Sequence, residues 1–133
     1  MKKNFCLQCL FLTLSFFLIS CQSRLETEIE AFNKECPVLV PGVGEITRAE
    51  LSGANVMFNV SVDYGMLDFD ACIENIDEFT DEFKSAVSVY DPDMQAMIDV
   101  LVEEEKGFGY RFVEEGTGKR FEVIFTYDEV KRL

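Results

Sequence analysis

The sequence contains no histidine among its 133 residues. That excludes the Ser-His-Asp and Cys-His nucleophile arrangements and every zinc or iron site built on imidazole. Basic residues are scarce as well, with 12 Lys and Arg against 25 Asp and Glu and a formal charge of −13. A field of that sign repels nucleic acid and anionic headgroups, which excludes a nucleic-acid partner and any membrane attachment through a basic patch. A run long enough to span a bilayer is also missing. The main apolar stretch, residues 5–20, has 16 residues, short of the roughly 20 that a hydrocarbon core about 30 Å thick requires.

Other catalytic patterns fail at particular positions. Ala31, Asp81, Glu103, Gly116 and Asp128 stand three residues before Lys34, Lys84, Lys106, Lys119 and Lys131, so no Ser-x-x-Lys pair is present. Gly42-Val43-Gly44 and Gly107-Phe108-Gly109 begin like phosphate loops, but Thr47 and Phe112 occupy the third glycine position, and both read as turns. Asp68-x-Asp70 begins like a calcium loop, yet Cys72 replaces the next oxygen ligand. No metal, no cofactor and no catalytic residue is therefore predicted, and a carboxylate-dependent hydrolase is the weakest of the functional readings.

What the chain does have is a start built for export. Met1-Lys2-Lys3-Asn4 is basic, and the apolar stretch ends in Leu18-Ile19-Ser20-Cys21. This segment resembles the signal peptide and lipobox of bacterial lipoprotein precursors. In that family the cysteine thiol receives a diacylglyceryl group and the peptide before it is removed. The resemblance implies residues 1–20 as signal peptide, Cys21 as the lipidated first residue, 21–24 as a short tether and 25–133 as a single domain. It also implies a membrane partner, reached through lipid, in the bacterial cell envelope. Gln22, rather than aspartate, after the cysteine implies the outer membrane, with the periplasmic or surface face left open.

Loss of Lys2 and Lys3 with the signal leaves 10 basic side chains against 25 acids, or −15. The CxxC at Cys6 and Cys9 lies in the discarded segment. Cys36 and Cys72 are the thiols that remain. They either form one disulfide, which an exported compartment permits, or leave Cys72 as a small apolar residue on a buried helix face.

Along the mature chain, Leu25, Ile29 and Phe32 recur at helical spacing over 25–35, and Cys36-Pro37 stops that helix. Residues 45–51 and 55–63 read as a hairpin, the second strand alternating Val56, Phe58, Val60 and Val62 with Met57, Asn59 and Ser61. A long helix is expected over 68–90. Asp91-Pro92-Asp93 should start a third, with Met94, Met97, Ile98, Leu101 and Val102 as its apolar stripe. Residues 108–114 and 119–127 form a second hairpin, and 128–133 a final helical turn.

The expected fold class is α+β in the order α-ββ-αα-ββ, an antiparallel sheet from two hairpins with helices packed on one face. By exclusion the leading functional reading is a lipid-anchored, non-catalytic binding or assembly module with an envelope protein as partner. A small apolar-ligand carrier is the alternative. Alternation turns Met57, Arg111, Arg120 and Ile124 away from the helices, which makes them the candidate partner surface. A flat exposed apolar patch would favour the binding module, an enclosed cavity the carrier, and a concave cluster of carboxylates inside a cleft an enzyme.

Overall fold

The computed structural model describes residues 23–87 and 92–133. The signal segment, Cys21 and the Asp91 cap expected for the third helix lie outside the described residues.

Helix α1 (Arg24–Glu35) opens on Ser23, whose hydroxyl accepts the Glu26 N–H at 3.1 Å. That cap explains a start one residue earlier than apolar spacing alone indicates. Leu25 and Ile29 are buried, and Cys36 leaves the helix in extended conformation ahead of Pro37. Strand β1 (Val38–Val40) follows, three residues being too few for alternation to announce it. Strands β2 (Gly44–Ser52) and β3 (Asn55–Val62) form the first expected hairpin.

The long helix expected over 68–90 is instead two, α2 (Phe69–Glu74) and α3 (Ile76–Ala86). Asn75 breaks it with φ −116° and ψ 40°, and its side-chain amide donates to the Ala71 carbonyl at 3.1 Å. A short amide side chain here competes with the helical backbone for the same acceptor. Helix α4 (Pro92–Glu103) buries Ile98, Val100 and Leu101. Strands β4 (Gly107–Glu114) and β5 (Arg120–Phe125) make the second hairpin. The last helix, α5 (Tyr127–Val130), begins with a capping box between Thr126 and Glu129.

The five strands lie in chain order, β1-β2-β3-β4-β5. The α+β class and the two hairpins stand as expected, but the sheet is not purely antiparallel. β3 and β4 run parallel, with Val56 opposite Phe108 and Val60 opposite Phe112. Three helices separate those strands in the chain, and a connection of that length can return to the starting end of the sheet.

The alternation also holds. Val56, Phe58, Val60, Val62, Phe108, Phe112, Phe121, Val123 and Phe125 form the core with Leu25, Ile29, Phe69 and the apolar face of α4. Thr47 is an extra residue in β2, since Ile46 pairs with Val60 while Arg48 pairs with Asn59. This bulge puts Ile46 and Ala49, three apart in sequence, on the same inner face.

Candidate functional site

A cleft of about 530 Å³ lies between α1, the β1 and β2 side of the sheet, and α4. Its construction follows from local chemistry. β1 pairs with β2 only as far as Ile46, so the backbone of Ala49 has no strand partner on that side. Asn33 of α1 takes the strand's place, its Oδ1 accepting the Ala49 N–H at 2.7 Å and its Nδ2 donating to the Ala49 carbonyl at 2.9 Å. One amide satisfies both groups and fixes α1 along β2. At the other end of the helix, Arg24 pairs with Glu103 of α4 at 2.9 Å.

Phe58 and Tyr110 form the floor, stacked at 5.5 Å between ring centroids. Phe32 meets Phe58 edge-on at 5.2 Å, Ile46 and Val38 close the strand side, and Met97 lies opposite on α4. Burial pushes the Tyr110 phenol above its ordinary pKa, so the ring stays neutral. At the rim, Glu28 and Glu35 are exposed. They stand seven apart, on one face of α1. An apolar floor with acids at its edge suits an amphipathic segment and offers no convergent acid–base pair.

The surface expected from the sequence is built differently. Met57, Arg111, Arg120 and Ile124 do belong to the face away from the helices, but Met57 is 2% exposed and offers nothing to a partner. Gly109 stands opposite it in β4, and a side chain at that glycine would meet the Met57 thioether at 3.0 Å. The methionine therefore fills the space a Cβ would take, a consequence of the parallel pairing that alternation within one strand does not reveal.

Arg111 is also occupied. Its Nε donates to Glu122 at 2.8 Å, and its Nη1 to Glu50 at 3.1 Å and Asn59 at 3.2 Å. The Glu122 hydrogen bond and then the Glu50 carboxylate hold the guanidinium more firmly protonated than usual. Arg120 is exposed and Ile124 half-buried, so of the four only Arg120 presents a free surface.

A second, smaller hollow of about 220 Å³ contains the residues of the calcium-like stretch. Asp68 spends its carboxylate capping Ala71, and Asp70 pairs with Lys119 at 2.9 Å. Glu114, the one buried charged residue among those described, accepts the Thr117 hydroxyl at 2.7 Å. Among the described residues no three carboxylates or thiols converge on a point that could hold a metal.

Cys36 and Cys72 are not bridged in the structure; both are half-buried, and Cys72 packs against the core from α2. Burial raises the pKa of both, and the charges of Glu35 and Asp68 raise them further. Neither has the depressed pKa of a redox cysteine.

No family model matches the chain, and no curated protein matches it. Its fold does recur among solved structures. A protein of Pseudomonas aeruginosa is similar with a TM-score of 0.58 and 13% identity, over 80% of this chain and 88% of the other. A pilotin from the type 2 secretion system of Vibrio vulnificus is similar with a TM-score of 0.52 and 9% identity, over 80% of this chain and 87% of the other.

Proposed function

We infer that the chain is a lipid-anchored envelope protein, held at the outer membrane through Cys21, which binds a partner protein in the cleft between α1 and α4 and is not an enzyme. The observation that carries this reading is the cleft itself, with its apolar floor of Phe58 and Tyr110, its open mouth and its acidic rim. Such a site suits one face of an amphipathic segment whose flanks carry Lys or Arg. An apolar-ligand carrier would enclose its ligand instead. The Vibrio vulnificus protein of the same fold is a pilotin in a secretion system, which supports an assembly role in the envelope.

A photo-crosslinking residue placed at Glu28, exposed at the cleft rim, should capture a discrete envelope protein in intact cells. The same residue at Arg120, on the opposite sheet face, should not. Ala31→Arg with Ala96→Arg should abolish that adduct and leave the circular dichroism spectrum unchanged, both positions being exposed. Equal capture from both faces would remove the cleft from the reading. Cys21→Ser should end metabolic labelling with a fatty acid, and a labelled mutant would remove the anchor.

A further inference from the structure

Only Gln22 lies between Cys21 and the Ser23 cap, which are two residue steps apart. Whatever their conformation, a chain of that length spans at most about 7 Å. Helix α1 begins at once and rises about 1.5 Å per residue, so Glu35 at its far end lies no more than about 25 Å from Cys21. There is no room for the domain to drift from its anchor.

Several segments share the end of the molecule at which α1 begins. Arg24 pairs with Glu103, the last residue of α4. The following turn leads to Gly107, whose N–H donates to the Ala54 carbonyl in the β2–β3 turn at 3.0 Å. Phe125 stands opposite Phe108 there, and α5 continues from it. This end is distinctive in charge. The first turn of α1 (residues 23–26), the turn 103–106 and the C-terminal stretch 126–133 contain four basic and six acidic side chains, while the rest of the chain after Cys21 has six basic and nineteen acidic. Most of the −15 is therefore carried away from the anchored end, where an anionic surface would repel it.

We propose that this end, formed by the start of α1, the β2–β3 turn, the turn 103–106 and α5, rests against the phospholipid bilayer and holds the cleft at a fixed height above it. The inference rests on lipidation of Cys21. It makes the cleft's partner one that presents its segment within about 25 Å of the lipid surface.

The test uses the full lipidated chain in vesicles of phosphatidylethanolamine and phosphatidylglycerol, with Cys36 and Cys72 replaced by Ser. A donor fluorophore goes on Ser52→Cys at the anchored end or on Leu39→Cys at the other, both positions being exposed. Leu39 pairs with Glu45, and because of the bulge at Thr47 the partners of Glu45 and Ser52 in β3, Ser61 and Asn55, are six residues apart, so about 20 Å separates the two labels along the strands. Energy transfer to a headgroup acceptor should be about twice as efficient from Ser52 as from Leu39. A Gly/Ser insert of about ten residues after Gln22, spanning ~17 Å, should erase the difference. Equal transfer from the two sites in vesicle-bound protein, or stronger transfer from Leu39, overturns the orientation. Failure of the chain with Cys21 intact to stay with vesicles overturns the lipid anchor, and the orientation with it.

Discussion

Over β4 and β5 the inner-face rings of Phe112 and Phe121 are roofed by α3, with Phe79 edge-on to Phe121 at 5.1 Å and Phe83 edge-on to Phe112 at 5.6 Å. Toward β3 the same aromatic layer continues through Tyr110, which Phe83 still meets edge-on at 5.3 Å, to Phe58, where Phe32 reaches in from α1 and the cleft stays open. Both regions use the same residue types on the same sheet face. The difference lies in the helices above. α3 presents Phe79 and Phe83 at i,i+4 to the sheet. α1 and α4 present Ala31 and Ala96 at the corresponding gap, and the small side chains leave space. Completed packing on one side makes the opening on the other look like a site rather than a defect of the core.

The largest expected effect breaks the roofed half. Phe112→Ala removes a ring that contacts Phe79, Phe83 and Phe121 and is 5% exposed, and it should cost about 3–5 kcal/mol in urea unfolding. A loss below about 1 kcal/mol would mean that α3 does not pack as a roof.

Phe32→Ala should cost less, about 1–2 kcal/mol by the same measurement, because its ring is only partly buried. A loss equal to that of Phe112→Ala would make the cleft side a core. Smaller still, under about 0.5 kcal/mol, should be the effect of Ala31→Arg with Ala96→Arg, which adds bulk only to exposed positions. A larger loss would mean that the cleft closes in solution.

The roofed half was largely legible from sequence, because Phe69, Phe79, Phe83, Phe112 and Phe121 all obey helical or strand periodicity. The cleft was not. It depends on the bulge at Thr47, which brings Ile46 to the inner face, and on Asn33 acting as a strand partner for Ala49. Both are relations between elements, and a polar residue on a helix carries no mark of the backbone that it will satisfy. The misjudged Met57 has the same origin, since its cover depends on which strand lies beside β3. Gly109 within an alternating strand was the one available signal.

The finest comparison concerns how the roof is pinned. Lys84 of α3 donates to Glu129 of α5 at 2.7 Å, and its Nζ also lies 5.2 Å from the centroid of the Phe125 ring. The Lys84 hydrogen bond, followed by the backbone bond of Thr126, holds the Glu129 carboxyl below the usual range. A carboxyl depressed in the folded state stabilises the fold above its unfolded pKa of about 4.3 and loses that contribution as pH falls through the folded value. Glu129 is partly exposed, so solvent screening limits the pair to under about 1 kcal/mol at neutral pH. Lys84→Met keeps most of the stem over Phe125 and removes the charge. In thermal melts the variant should be slightly less stable than wild type at pH 7, and the two should converge as pH falls below the ordinary glutamate range. An offset that persists undiminished into acid would mean that Lys84 holds α3 through its contact with the Phe125 ring alone.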